Sequence, residues 1–371
     1  MTLRFFALLV ALITASPLFP GRGVSAATPI DPNPFVQPQD FSGQLRGFSI
    51  GFKKYPDSYY SDIRTYGANL VRVFFPFKRC SNCDRYGRSP EDVALLDDIL
   101  LAAERHQLKV VVVSGFQELE TGEIWKRADL QDSVVNNWRW FAERYASNTT
   151  IAGFDLLNEP NMPWPHDWAE NYVYWQPLVL RIVEAVRAVD QNHVVIVESA
   201  PGALAEGFKF LKPIKDKRVV YSLHFYAPHN ITHQLVSKEW SRKIPYPAGI
   251  EYGLGEWDVI EGVGRWDKDR LSRTLEPVRQ FVKKYNAIIY VGEFSCVRWA
   301  PDGSAPRYVS DVLELFNAEN WSWTYHEFRG WPGWDAEISS DDLHNVRTSD
   351  APTISIIKRA LSPTAKNSMA R

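Results

Sequence analysis

Two glutamates stand at the ends of apolar runs and could work as a pair. The run from Ile151 to Leu157 is followed by Asn158, Glu159 and Pro160. Proline cannot donate to a sheet ladder, so Glu159 is predicted at the carboxyl end of a buried strand. Glu293 closes a second apolar run, Val291-Gly292-Glu293-Phe294. Two carboxylates that face one another suggest glycoside hydrolysis, in which one protonates the leaving oxygen and the other attacks the anomeric carbon or activates water.

Other polar residues stand within or just after apolar runs and could support the two carboxylates. Arg72 can hold one carboxylate in its ionised form, and His224 and Tyr226 can orient the pair through hydrogen bonds. His326 lies near the end of a further run. The alternative interpretation is structural: a salt bridge to Arg72 inside the fold, or a packed core histidine and tyrosine. A single arginine would leave one of two buried carboxylates uncompensated, which favours a functional role.

The sequence pattern predicts eight strands, each followed by a helix, and these elements must bring the site residues together. This pattern predicts a single-domain α/β protein, a (β/α)8 TIM barrel, whose active site lies where the strands end. A doubly wound sheet is less favoured, because Gly47 and Gly51 do not form a phosphate-binding turn. The predicted strands are Arg46 to Phe52, Ala68 to Phe75, Lys109 to Ser114, Ile151 to Leu157, His193 to Glu198, Arg218 to Phe225, Ile288 to Phe294 and Trp321 to Phe328.

Aromatic residues are abundant in the loops that would surround this site. The segment from Pro228 to Lys268 is far longer than a usual connection and is predicted to form a wall or lid over the groove. Trp334 follows the eighth strand and is a candidate for substrate contact. Further candidates for stacking on sugar rings are Trp164, Trp168, Tyr252, Trp257, Trp266, Trp299 and Trp331.

Residues 44–361 resemble glycoside hydrolase family 5, in a clan whose catalytic glutamates end strands four and seven. The resemblance rests on Asn158-Glu159-Pro160, His224-x-Tyr226 and Gly292-Glu293-Phe294. It implies that Glu159 is the general acid/base and Glu293 the nucleophile of a retaining enzyme. It further implies that Asn158 binds the sugar 2-hydroxyl, that Arg72 and Tyr226 position Glu293, and that His224 supports Glu159. No cofactor or metal is implied.

The chain departs from the family pattern at two positions. Members commonly have a histidine at the end of strand three, where this chain reads Val113-Ser114-Gly115-Phe116. They also commonly have a tryptophan on strand eight, where His326 stands. The resemblance implies hydrolysis of a β-linked glycan, first a β-glucan, with an endo-β-mannanase or another family 5 β-glycanase as the alternative. A barrel that binds glycan without cleaving it is the alternative from another class, and the two intact glutamates disfavour it.

The amino-terminal residues predict an exported protein. Arg4 and the apolar run from Phe5 to Ala15 are typical of a signal peptide over residues 1–26, with an uncleaved anchor as the alternative. Residues 27–43 are predicted to be a proline-rich linker or strap without a helix, and residues 362–371 a loose tail. A net charge of -2 without charge runs disfavours nucleic-acid binding. We expect a secreted or periplasmic monomer with no membrane segment after signal removal.

Cysteine usage fits that location. Cys80 and Cys83 form a C-x-x-C for which a local disulfide is the favoured interpretation. A zinc site would need further ligands at suitable spacing, and a redox motif would need to open a helix after a strand. Cys296 is predicted to be a free thiol.

Overall fold

Eight parallel strands close into a barrel in which each strand pairs with its neighbours in chain order, and the last pairs with the first. The computed structural model describes residues 34–77, 87–116, 122–161, 168–237, 242–251 and 260–362. The predicted (β/α)8 barrel is confirmed. Its strands are β1 (Arg46–Ile50), β2 (Leu70–Phe77), β3 (Lys109–Phe116), β4 (Ile151–Asp155), β5 (Val194–Glu198), β6 (Val219–His224), β9 (Ile289–Glu293) and β10 (Ser322–Tyr325).

The segment before β1 seals the amino-terminal end of the barrel. Phe41 is fully buried and packs edge-on against Tyr290. Arg218 holds the segment from outside, donating to the carbonyl of Val36 at 2.8 Å. A 3-10 turn, Pro38–Phe41, interrupts the stretch in which no helix was predicted. Proline fits its first position, where the missing N–H costs no hydrogen bond.

Strand alternation sorts the residues inside the barrel into layers. Successive side chains point to opposite faces, so every second residue enters the interior. The lower interior layers are apolar and lie against the sealing segment; they comprise Leu70, Val111, Ala152, Val194, Ile196, Val220 and Tyr290. Two residues beyond Leu70, Ile196 and Val220 come Arg72, Glu198 and Ser222, and His224 follows Ser222 at the same spacing. The polar residues therefore enter the barrel toward its carboxyl end.

The helices cover the outside of the barrel. They are α1 (Asp57–Thr65), α2 (Pro90–Arg105), α3 (Ala128–Tyr145), α4 (Trp168–Arg187), α5 (His229–Thr232), α6 (Lys268–Thr274), α7 (Glu276–Tyr285), α8 (Ser304–Ala318) and α9 (Pro352–Leu361). One helix predicted from 268 to 285 is two, α6 and α7, because Pro277 opens the second at its first turn. The short helix predicted near 204–211 is a 3-10 turn, Ala205–Lys209. Ser89 caps α2: its hydroxyl accepts the N–H of Asp92 at 3.0 Å.

The second strand continues through Pro76, where the sequence predicted that it would end. Pro76 pairs with Gly115 of β3. β1 pairs with β2 only as far as Val73, so the proline lies beyond the end of β1 and removes no ladder bond on that side.

In its described residues, the long segment after β6 has both buried and exposed side chains. It contains α5 and an antiparallel pair of short strands, β7 (Ala248–Ile250) and β8 (Gly264–Trp266). Trp266 is buried and Gln234 bonds the backbone of Ile244 through both its amide atoms. Within the described part of the chain, no helix has the length and apolar character needed to cross a membrane.

Candidate active site

Glu293 ends β9 inside the barrel mouth and is held by two strong donors. Arg72 Nη1 lies 2.5 Å from Glu293 Oε1, and the Tyr226 hydroxyl donates to Glu293 Oε2 at 2.8 Å. The side chain is 7% exposed. His326 Nδ1 lies 3.6 Å from Glu293 Oε2, too far for a hydrogen bond but close enough for an electrostatic interaction. Arg72 and Tyr226 therefore contact Glu293 as the sequence predicted.

The surroundings of Glu293 favour its ionised form. Burial raises the pKa of this carboxyl, but His326, His224 and Arg72, with the hydrogen bond from Tyr226, outweigh it and hold the pKa well below its usual range. Burial and the neighbouring Glu293 raise the pKa of the Tyr226 phenol, so it remains a donor. Glu293 is thus a fixed carboxylate at neutral pH.

Glu159 lies just beyond β4 in a different setting. Its side chain is 43% exposed and contacts His224, whose Nδ1 lies 2.7 Å from Glu159 Oε1. Its backbone has φ of 47°, in the left-handed region that residues with a Cβ rarely adopt. The predicted contact between His224 and Glu159 is therefore present, and the carboxyl group reaches toward the open mouth.

The two glutamates meet across the barrel. One ligand atom each from Glu159, His224 and Glu293 can be chosen so that all lie within 4.8 Å of one another. In glycosidases, carboxyl groups about 5–5.5 Å apart accompany retention, and about 6.5–9.5 Å accompany inversion. The close approach of the carboxylate oxygens fits the shorter arrangement.

Gly292 makes room for His224 beside Glu293. The register of β6 against β9 shifts at this point, so that His224 is paired with Glu293. A Cβ at Gly292 would lie 3.0 Å from both His224 Nε2 and Ser222 Oγ. The glycine of the Gly292-Glu293-Phe294 motif thus permits the histidine to sit against the strand that carries the nucleophile candidate.

Two further buried carboxylates surround Arg72, and neither was singled out from the sequence. Glu198 ends β5 and Asp155 ends β4; both are fully buried. Glu198 Oε1 accepts from Arg72 Nη2 at 2.9 Å, and Asp155 Oδ2 accepts from Arg72 Nε at 3.2 Å. Glu198 could have been found, because it closes an apolar strand in the same way as Glu293.

The buried groups of this cluster shift one another's pKa. Burial raises the pKa of Asp155 well above its usual value, and the charge of Glu198 adds to the increase. Burial opposes ionisation of Glu198, but His224 and Arg72 outweigh it and lower its pKa. Burial disfavours a charged His224, yet Glu198, Glu293 and Glu159 raise its pKa well above the usual value. Arg72 and His224 therefore lie among three buried acids, and Asp155 is the one of the three whose pKa is raised.

Asn158 is tied to this network and to the end of β3. Its Oδ1 accepts from Arg72 Nη2 at 3.0 Å, and its N–H donates to the carbonyl of Ser114 at 3.1 Å. Ser114, at the end of the strand where the family commonly has histidine, is buried and donates its hydroxyl to the carbonyl of Leu156 at 2.6 Å. The serine fixes the turn that presents Asn158 and Glu159.

Glu159, His224 and Glu293 are also close enough to be considered as metal ligands. His224 already lies between carboxylates with its pKa raised, and Arg72 already neutralises Glu293. A metal ion would need the deprotonated imidazole and would be repelled by the arginine. The surroundings of the three groups therefore do not fit a metal site.

A comparison with models of protein families shows the family to which the chain belongs. The model of the cellulase family, glycosyl hydrolase family 5, matches residues 35–330. The chain belongs to this family. It is a glycoside hydrolase that acts on O-glycosyl bonds.

Individual relatives agree with this assignment. Endoglucanase C of Acetivibrio thermocellus is 25% identical over 338 residues, which cover 83% of this chain and 94% of that protein. Endoglucanase Cel5A of Thermotoga maritima has the same fold, with a TM-score of 0.67 at 21% identity over 88% of this chain and 100% of that one. A structure of Cel5A with a mannotriose substrate gives a TM-score of 0.69 at 20% identity and the same coverage.

In this family 5 enzyme His326 lies where a tryptophan was expected, and Trp334 packs behind it. The ring centroids of Trp334 lie 5.2 Å from that of His326 and 6.0 Å from that of Tyr226. Trp323 is fully buried and packs against Phe294, on the outer face of β10. The predicted site residue Trp334 therefore belongs to the wall beside Glu293, and Trp323 does not replace the missing platform.

The remaining aromatic candidates and Cys296 differ in how far they are buried. Trp331 is 38% exposed, whereas Trp266 is buried and packs against Arg270. Cys296 is a buried free thiol, and burial raises its pKa. Several predictions fall outside the described residues: the disulfide between Cys80 and Cys83, the signal peptide, and the placement of Trp164, Tyr252, Trp257 and the Trp168 side chain.

Proposed function

We propose that this family 5 enzyme is an exported, retaining endo-β-glucanase with Glu293 as nucleophile and Glu159 as general acid/base. The observation that carries the assignment of roles is the contrast between the two carboxyl groups. Glu293 is buried and held ionised by Arg72 and Tyr226, while Glu159 reaches the open mouth with His224 behind it. A nucleophile needs the first environment, and a group that gives and takes protons needs the second.

The first step forms a covalent glycosyl-enzyme. A Glu293 oxygen attacks the anomeric carbon while the bond from that carbon to the leaving oxygen breaks. Glu159 transfers its proton to the leaving oxygen, which departs as a hydroxyl of the released chain. The carboxylate left on Glu159 is stabilised by the neighbouring His224.

The second step reverses these roles. Glu159, now a carboxylate, takes a proton from water as the water oxygen attacks the anomeric carbon. The bond to Glu293 breaks, its electron pair returns to the Glu293 carboxylate, and Arg72 and Tyr226 stabilise the resulting negative charge. Two inversions at the same carbon give net retention.

The choice of a β-glucan rests on family membership and on relatives with endoglucanase names. A second candidate is an endo-β-mannanase. It is favoured by His326, which replaces the expected flat platform, and by the named mannotriose complex of a structural neighbour.

A substrate panel tests both. Wild type, Glu293→Ala and Glu159→Ala are assayed on β-glucan, mannan and xyloglucan oligosaccharides, and the anomer first released is identified by NMR. We expect β-glucan cleavage with the β-anomer formed first, and loss of activity in both variants. Wild type with no activity on any chain would exclude the hydrolase. Glu293→Ala with full activity would exclude the nucleophile assignment.

Export and the monomeric state belong to the same proposal. The support for export is the apolar run from Phe5 to Ala15 after Arg4. Amino-terminal sequencing of the protein recovered from periplasm or medium should give a chain that begins after Ala26 or Ala27. Recovery of a full-length chain in the membrane fraction would contradict it.

A further inference from the structure

Glu198 contacts both the backbone of Glu159 and the histidine that contacts the Glu159 carboxyl group. Its Oε2 accepts the backbone N–H of Glu159 at 2.6 Å. Its Oε1 lies 3.2 Å from Nε2 of His224, the residue whose other ring nitrogen contacts the Glu159 carboxyl. The same Oε1 accepts from Arg72 Nη2 at 2.9 Å. One buried side chain thus joins the backbone of Glu159, its histidine and the arginine of the site.

His224 lies between two carboxyl groups. Nδ1 is 2.7 Å from Glu159 Oε1, and Nε2 is at ion-pair distance from Glu198, although the second contact is not a well-aligned hydrogen bond. Neutral imidazole has one donor nitrogen and one acceptor nitrogen, whereas imidazolium has two donors. A negative charge on Glu198 therefore favours the imidazolium form of His224. In that form Nδ1 always carries a proton and donates a hydrogen bond to Glu159.

We propose that Glu198 is a positioning residue for the acid/base: it fixes the backbone of Glu159 and keeps His224 oriented and charged so that His224 donates to the Glu159 carboxyl. This inference rests on the proposed role of Glu159. Glu198 does not reach the substrate and acts only through its neighbours.

The hydrogen bond from the Glu159 N–H to Glu198 stabilises an unusual backbone conformation. Glu159 adopts φ of 47°, in the left-handed region that residues with a Cβ rarely adopt. An N–H turned into the barrel at this point needs an acceptor, and Glu198 Oε2 supplies a charged one. Without it, the left-handed conformation would lose the bond that compensates for it.

Asp155 offers a matched comparison. It is as deeply buried and contacts the same arginine, at 3.2 Å, but none of the hydrogen bonds and ion pairs described for it goes to His224 or to the Glu159 backbone. A change at Asp155 should disturb Glu293 through Arg72, whereas a change at Glu198 should also disturb Glu159. The two variants separate a general disturbance of the cluster from a specific effect on proton transfer.

The test uses two substrates that differ in their need for an acid. A cello-oligosaccharide needs a proton on its leaving oxygen, whereas 2,4-dinitrophenyl β-cellobioside releases a stable anion without one. The value of kcat/KM is measured for wild type, Glu159→Ala, Glu198→Gln and Asp155→Asn, and circular dichroism reports folding. Glutamine keeps the shape of Glu198 and can still accept the Glu159 N–H, but it removes the charge beside His224.

We expect Glu198→Gln to lose about 10²-fold on the oligosaccharide, at the lower end of what a general acid contributes. On the dinitrophenyl glycoside it should show only the smaller loss that Asp155→Asn also shows through Arg72. Asp155→Asn should lose equally on both substrates. Equal losses for Glu198→Gln would overturn the inference, because a merely structural role moves both values together. Glu159→Ala that loses equally on both substrates would overturn the acid/base assignment itself, and the inference with it.

A measurement on the wild-type enzyme covers the case in which Glu198→Gln does not fold. Nitrogen-15 NMR of histidine-labelled protein, with His224 assigned through His224→Gln, shows whether both ring nitrogens carry protons at neutral pH. Two protonated nitrogens support the inference. A neutral His224 ring overturns it.

Discussion

The two glutamates of the barrel mouth are held in opposite ways. Glu293 lies on a strand, is almost fully buried, and has a donor on each oxygen. Glu159 lies beyond its strand in a left-handed conformation, and its side chain is 43% exposed with His224 as its contact. The first carboxyl group is fixed in position and charge, and the second is exposed to what enters the mouth.

The difference teaches how one fold separates two roles of the same residue type. Strand geometry is rigid and suits the group that must attack one carbon from one direction. A residue just past the strand end can reach the leaving oxygen and water in turn. Substitutions on the Glu293 side should therefore affect all substrates, and those on the Glu159 side should affect mainly substrates with poor leaving groups.

Loss of Arg72 should have the largest effect, because it leaves buried carboxylates without their cation. For Arg72→Gln we expect about 3–5 kcal/mol lower free energy of unfolding, from denaturant titration. In the protein that folds, the pKa of Glu293 should rise, because the lost charge favoured the ionised form. The acid limb of kcat/KM should then move to higher pH.

Two other variants calibrate this result. Arg72→Lys keeps the charge and should move the acid limb less. Arg46→Gln changes a buried arginine at the other end of the barrel, where it donates to the carbonyl of Ala360 at 3.0 Å, and should leave the pH profile as in wild type. An unchanged acid limb in folded Arg72→Gln would mean that Glu293 does not depend on Arg72.

Tyr226→Phe should have the next largest effect. It removes one hydrogen bond to a charged group, worth about 1.5–3 kcal/mol, so kcat/KM should fall by about 10- to 10²-fold. The loss should be similar for the oligosaccharide and the dinitrophenyl glycoside, because Glu293 attacks in both. Tyr221→Phe is the matched control on β6: its hydroxyl accepts from Ile214 N, away from the mouth, and kcat/KM should not change. A loss confined to the oligosaccharide would place Tyr226 on the Glu159 side instead.

Gly292→Ala should have a smaller effect. Gly292 adjoins Glu293 in the chain, but the added methyl group would contact His224, which belongs to the Glu159 side. The variant therefore tests whether the two sides can be disturbed separately. We expect about a 10-fold loss of kcat/KM on the oligosaccharide and a smaller one on the activated glycoside, as the histidine shifts from Glu159. Gly249→Ala, whose Cβ would meet nothing within 4 Å, is the control. Equal losses on both substrates would show that the methyl disturbs Glu293 itself.

His326→Ala should have the smallest effect on hydrolysis. Its Nδ1 is 3.6 Å from Glu293, beyond a hydrogen bond, and Arg72 and Tyr226 remain. We expect less than about a 10-fold loss of kcat/KM, with a slight rise of the acid limb because one group that lowers the pKa of Glu293 is gone. A larger loss, mainly in KM, would assign His326 to sugar binding.

Much of the site could be predicted from the sequence, because a polar residue that closes an apolar strand is visible without a structure. Glu159, Glu293 and His224 were found in this way, and each lies at the mouth. Glu198 carries the same signal and was passed over, since its importance lies in three partners that come from three other strands. Asp155 was missed because it is a single acid inside an apolar run.

The sequence by itself determined the order and number of the strands, the barrel, and the two carboxylates, since these follow from local patterns of burial and from proline and glycine. Tertiary structure alone decided which carboxyl is buried and which is exposed, and that Glu198 joins His224 to the backbone of Glu159. It also decided the division of one predicted helix into α6 and α7 and the continuation of β2 through Pro76. The physical reason is that burial, charge balance and the pairing of strand edges depend on residues far apart in the chain, which only the closed barrel brings within contact.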